Sequence, residues 1–177
     1  GDVWVDAEAG LALGHRRLAI VDLTPAGHQP MQSACGRYTI VFNGEIYNHL
    51  ILRAELEKAH AAPVWRGHSD TETLLATLAH WGIEAGLRRL VGMFAFALWD
   101  KQTRKLTLAR DRLGEKPLYY GWQKDTFLFG SELKALAVHP EFSGKIDRRV
   151  LPLYFRHSYV PAPHSIDRKS TRLNSSH

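Results

Sequence analysis

Cysteine is almost missing from this chain: 177 residues carry one, Cys35. A single thiol excludes an internal disulfide framework and suits a reducing compartment, so a cytoplasmic setting is expected. Long apolar runs are missing as well. None approaches the roughly 18 residues a membrane-spanning helix needs, and no basic-then-apolar leader stands at the front, so no membrane partner is expected. No H-E-x-x-H and no paired Cys/His spacing occurs, which predicts no metal. No glycine-rich phosphate-cradling loop is present, so no cofactor is expected within the chain. The net charge is +5, yet the positive residues are scattered as pairs such as Arg16-Arg17, Arg88-Arg89 and Arg148-Arg149. Without a basic run and interleaved aromatics, no nucleic-acid partner is expected. Internal repeats and low-complexity segments are also lacking.

What is present reads as one soluble globular domain, long enough for a core without cross-links. The first third carries strand patterns: "VWVDA" (3–7), "LALGHRRLAIVD" (11–22) and "YTIVFN" (38–43), with turn chemistry in "TPAGHQP" (24–30). The period then changes. Ile46, Leu50, Ile51 and Leu56 recur at helical spacing, with Asn48 as candidate N-cap. In "GHSDTETLLATLAHWG" (67–82), Ser69 and Glu72 form an S-x-x-E capping box for a helix ending at Gly82. Strands return in "MFAFALWD" (93–100), "KLTLARD" (105–111), "PLYYGW" (117–122) and "TFLFGSE" (126–132). "MFAFALW" is apolar at every position, as expected of a strand covered on both faces. Helices are expected over 131–138 and 147–157. The order predicts a layered α+β fold, either paired sheets flanked by helices or an open sandwich with one helical layer.

Three polar clusters stand at strand ends, where sites form. Arg17 precedes an apolar strand and could clamp a carboxylate through its planar fork, or form a surface ion pair. Asn43-Gly44-Glu45 reads first as a tight turn, but a helix pattern follows, so a bend from strand into helix that presents two donors is the alternative. Asp70 is the third, but an acid in the first turn of a helix favours the helix dipole unaided.

"GHRRLAIVD", "AGHQPM", "YTIVFNGEIYN", "HSDTETLL", "GMFAFALWD", "ARDRLGEKPLYYG", "FGSELKAL" and "YVPAPHSI" occur in the order found in asparagine synthetases. The chain resembles the glutamine-hydrolysing domain of the bacterial glutamine-dependent enzymes over nearly all of residues 1–166. That family comprises class II glutamine amidotransferases, so the resemblance implies an N-terminal-nucleophile hydrolase fold, a four-layer αββα sandwich. It implies a glutaminase domain over 1–158, a linker beginning at 159–166, and a non-native tail over 167–177. It further implies that Arg17 holds the glutamine α-carboxylate and Asp70 the α-ammonium. Leu18, Ala19, Ile20 and Val21 would line that pocket. The Asn43 side chain and the Gly44 N–H would form an oxyanion hole, with Glu45 beside the substrate.

The family's nucleophile is a cysteine at the mature first position, with its own α-amino group as base. This chain opens Gly1-Asp2, so it reads as truncated at its start and inactive alone. Cys35-Gly36 imitates the family's opening dipeptide, but an internal cysteine has no free α-amine, and it is expected to be a bystander. The resemblance also implies a synthetase domain outside the chain, using ATP and Mg²⁺ to amidate aspartate, and a homodimer. Another class II amidotransferase (amino-sugar, nucleotide-precursor or polysaccharide-linked) and a non-catalytic glutamine-binding module are the alternatives.

Overall fold

The computed structural model describes residues 2–16, 27–144, 148–157 and 171–172. Arg17 and Leu18 to Val21 lie outside the described residues, as does the expected linker. The chain divides into two compact units, Gly1–Ala109 and Arg110–His177.

In the first unit, β1 (Asp2–Asp6) and β2 (Leu11–His15) form an antiparallel hairpin. A four-stranded antiparallel sheet follows, in the order β3 (Met31–Gln32), β4 (Tyr38–Ile46), β5 (Gly92–Asp100), β6 (Lys105–Arg110). β4 and β5 pair along their whole length, from Tyr38↔Asp100 to Ile46↔Gly92. Alternation along both strands turns Tyr38, Ile40, Phe42, Ile46, Phe94, Phe96 and Leu98 to one face. There they form a core with Leu52 of α1 (His49–Lys58) and Leu74, Leu75 and Leu78 of α2 (Asp70–Trp81). Burial of every residue from Phe94 to Asp100 bears out a strand covered on both faces.

The expected bend at Asn43-Gly44 is not there. Both residues lie inside β4, opposite Ala95 and Phe94 of β5. Local turn propensity lost to a close approach between the strands. A β-carbon on Gly44 would fall on the Met93 carbonyl and within 2.7 Å of Phe94 Cα, and one on Gly92 would fall on the Glu45 carbonyl. Glycine here lets two backbones touch rather than lets one turn.

Asn48 does stand at the N-cap of α1, but its amide makes no cap bond. Instead it donates to Arg89 O and accepts from Val91 N, clipping the connection between α3 (Ile83–Arg89) and β5. The helical face also differs from expectation. Ile46 and Leu56 are buried as the stripe predicted, but Leu50 and Ile51 are exposed, and Leu52 is buried in their place. Ser69 caps α2 through Thr71 N as expected, while the Glu72 carboxylate reaches further back, to the N–H groups of Arg66 and Gly67. Gly82, read as a helix stop, ends α2 and also opens α3, which the pattern did not predict.

The second unit holds the hairpin β7 (Tyr119–Gln123) and β8 (Thr126–Gly130), with Lys124 at φ 51° in the turn. The expected helices are shorter: α4 (Leu133–Ala137) and α5 (Leu151–His157) after a 3₁₀ turn at Arg148–Val150. Two residues of the tail, Thr171–Arg172, pair with β7 as β9. The "RDRLGEKP" segment folds on itself. Arg110 donates to the carbonyls of Gly114 and Lys116, and the buried Asp111 carboxylate accepts from Glu115 N and Lys116 N. Gly114 sits at φ +67°, and a β-carbon there would meet the Arg110 guanidinium. Among the described residues no helix is long and apolar enough to cross a membrane.

Candidate active site

The site is built on the outer edge of β4. β3 pairs only with Thr39 and Ile40, and among the described residues no other strand pairs with β4 on that side. Side chains take over the role. The buried Gln29 amide oxygen accepts from Phe42 N at 2.6 Å, and His15 Nε2 bonds Phe42 O at 3.0 Å. Two residue pairs on, Ile46 N donates to Asp70 Oδ2 at 2.9 Å. Phe42 and Ile46 thus send their N–H groups off the sheet edge, and Gly44 lies midway between them in a strand alternation of period two. The same alternation carries Asn43 and Glu45 to the face opposite the helical core. That face is partly covered by the first hairpin, where Trp99 Nε1 donates to Asp6 Oδ2 at 3.1 Å.

Asp70 is the first residue of α2 and is buried. Its Oδ1 accepts from Thr71 N at 2.8 Å and lies 3.5 Å from the Thr71 hydroxyl. These are neutral donors. Among the described residues no guanidinium or ammonium pairs with this carboxylate, which stands at the helix N-terminus, where the dipole favours a negative charge.

Glu72 is placed differently. Arg66 Nε lies 3.4 Å from Oε1 and Arg53 Nη2 3.8 Å from Oε2. Arg53 in turn donates to Gly67 O and Thr73 Oγ1 and stacks over Trp65 with its Cζ 4.0 Å from the ring centre. This cluster holds the loop that leads into Asp70.

Asn43, Gly44, Glu45 and Asp70 are therefore brought to one end of β4. Cys35 is not among them. It lies in the Ser33–Tyr38 turn at the start of β4, and Gly44 lies six residue steps along the strand from Tyr38, about 20 Å. Cys35 is exposed, and the Ser33 hydroxyl, 3.3 Å away, holds its thiol below the usual range. At that same end Arg37 grips Asp100 with two bonds of 2.9 and 2.6 Å. The guanidinium, helped by Thr103 and Gln102, keeps this buried carboxyl well below the usual carboxylate range. Among the described residues no group of three His, Cys, Asp or Glu could hold a metal ion.

Sequence reasoning missed Gln29 and His15 as parts of the site. "AGHQPM" was legible only as a family marker, because its contact with Phe42 is set by folding and not by a local pattern.

Comparison with known proteins places the chain in a family. The glutamine amidotransferase domain family matches residues 1–177. The chain therefore belongs to the glutamine amidotransferase family. It is similar to the glutamine-hydrolysing asparagine synthetases 3 and 1 of Bacillus subtilis. The former is 44% identical over 87% of this chain and the latter 43% over 89%, each match covering 24% of the relative. The chain thus spans about a quarter of the length of these relatives. Among solved structures, glutamine phosphoribosylpyrophosphate amidotransferase from B. subtilis, complexed with ADP and GMP, superposes with a TM-score of 0.60. That pair is 26% identical over 72% of this chain and 29% of the other. The fold is the α+β, N-terminal-nucleophile hydrolase type that the resemblance implied.

Proposed function

We propose that this chain is the glutamine-binding part of a glutamine-hydrolysing asparagine synthetase. Arg17 holds the glutamine α-carboxylate, Asp70 holds the α-ammonium, and the backbone of Leu18, Ala19, Ile20 and Val21 lines the pocket. The Asn43 amide and the Gly44 N–H face the side-chain carbonyl oxygen, with Glu45 beside the substrate. The observation that carries this reading is the bond from Ile46 N to Asp70 Oδ2. It ties a carboxylate lacking a described cationic partner to the strand end that presents Asn43, Gly44 and Glu45.

The chemistry follows from the charges. A thiolate supplied by the complete protein adds to the amide carbon, and the carbonyl oxygen becomes an oxyanion. Collapse breaks the C–N bond, ammonia leaves with a proton, and water then hydrolyses the thioester to glutamate. Two neutral donors at the oxyanion lower the barrier, each by about 2.7–4 kcal/mol. In the full protein the ammonia passes to a synthetase domain that uses ATP and Mg²⁺ to amidate aspartate. Neither of these is assigned to residues of this chain. A cytoplasmic homodimer completes the proposal.

Calorimetry with L-glutamine tests it. The 177-residue chain should bind, and Arg17→Ala or Asp70→Asn should each weaken binding about tenfold or more, the loss expected of a charge-assisted contact. Identical binding by wild type and both variants overturns the assignment. The chain should release no ammonia, since its only thiol, Cys35, is internal.

A further inference from the structure

A cavity of about 250 Å³ opens beside α2, walled on the helix side by Glu72, Leu75, Ala76 and Ala79. At 3.6 residues per turn, Asp70 and Glu72 point about 200° apart around the helix. The cavity therefore lies on the side of α2 away from the candidate active site. Ala61 and Pro63 continue its apolar wall, and Arg66 and Cys35 stand among its polar lining.

Charge is unequal there. One buried carboxylate, Glu72, lies between two guanidinium groups, Arg53 and Arg66, so the cluster keeps a surplus positive charge. Arg66 is the accessible one, its side chain 51% exposed, and it is anchored by a 2.8 Å bond to Gln32 O. The volume is that of about eight waters at roughly 30 Å³ each, enough for about seven or eight heavy atoms.

We propose that this cavity is a second ligand site, taking a small amphipathic monocarboxylate. The carboxylate meets Arg66, and a short hydrocarbon body lies on Leu75, Ala76, Ala79 and Pro63. The proposal goes beyond the glutamine reading and does not rest on it. Glutamine carries a cation and a polar amide, which suit neither a surplus positive charge nor an alanine-rich wall. Glu72 also holds the N–H groups of Arg66 and Gly67, so an occupant is felt in the loop that leads to Asp70.

The chain supplies its own reporter, because Cys35 is its only thiol and lines the same cavity. Alkylation of Cys35 by iodoacetamide is followed with pentanoate, acetate or pentylamine present. Pentanoate at about four times a millimolar Kd should slow the reaction about fivefold by mass action. Acetate lacks the apolar body and pentylamine reverses the charge, so both should leave the rate within about 1.5-fold of the free chain. Arg66→Gln and Ala79→Trp, both at exposed positions, should abolish the protection. Pentanoate should shift the amide resonances of Gly67 and Ala76. Equal protection by pentylamine or acetate, no protection by pentanoate, protection that survives both variants, or shifts centred on Leu50 and Ile51 would each overturn the site. The ligand arms use the unmodified chain, so they stand whether or not a variant folds.

Discussion

Asp70 and Glu72 open the same helix, lie almost equally deep, at 6% and 5% exposed, and each accepts from two main-chain N–H groups. What differs is the positive charge around them. Glu72 has Arg53 and Arg66 against it; Asp70 has neutral donors, with no cationic partner among the described residues. A buried carboxylate must be compensated. Where arginines do this within the fold, the group becomes part of the scaffold. Where only dipoles do it, the residual charge remains available to a ligand. The two acids two residues apart are therefore held differently: Glu72 ties the loop that enters α2, and Asp70, among the described residues, is held by neutral donors alone.

The largest effect should come from removing the compensated acid. Glu72→Ala leaves two guanidinium groups without their carboxylate and two N–H groups without an acceptor. Urea unfolding should report a loss of about 3–5 kcal/mol. Gly44→Ala, which drives a β-carbon into the β5 backbone, should cost about 2–3 kcal/mol by separating the strand end from its neighbour. Asp70→Asn should cost only about 1 kcal/mol, because an amide oxygen still accepts one of the two bonds, yet glutamine binding should be lost. A stability loss as large as that of Glu72→Ala would erase the contrast between the faces.

Asp100 offers a smaller, sharper check, since it is buried like Asp70 and arginine-paired like Glu72. Its folded pKa lies below the unfolded value near 3.9. Its stabilisation is therefore complete above that pH and is lost as pH falls through the folded value. Arg37→Ala should cost about 1–2 kcal/mol at neutral pH, since Arg37 is partly exposed. It should also flatten the acid limb of the stability curve. An unchanged acid limb would show that Arg37 is not what holds Asp100 ionised.

Most of the elements were legible in advance, because periodicity is a local property. "MFAFALWD" and "DTETLLATLAHW" announce a doubly covered strand and a capped helix. The errors fall where a distant partner outvotes a local rule. Asn43-Gly44 has the strongest hairpin signal in the chain, yet β5, some fifty residues on, presses against it and keeps it straight. Asn48 has a helix-cap side chain, but Arg89 and Val91 claim it. Leu50 and Ile51 fit a helical stripe with Leu56, but of the three only Leu56 reaches the core, joined by Leu52.

By itself, the sequence determined the alternation of strands and helices, the single thiol, the scattered charge, and the motifs that mark a glutamine amidotransferase. Each is a matter of residue identity or near-neighbour spacing. Only the tertiary structure decided that Asn43 and Glu45 share the sheet face away from the core, and that Gln29, His15 and Asp70 finish the edge of β4. It alone separated an arginine-paired carboxylate from one held, among the described residues, by neutral donors. These outcomes depend on which groups meet across tens of residues, and burial makes each such meeting a choice between a paired charge and a costly unpaired one.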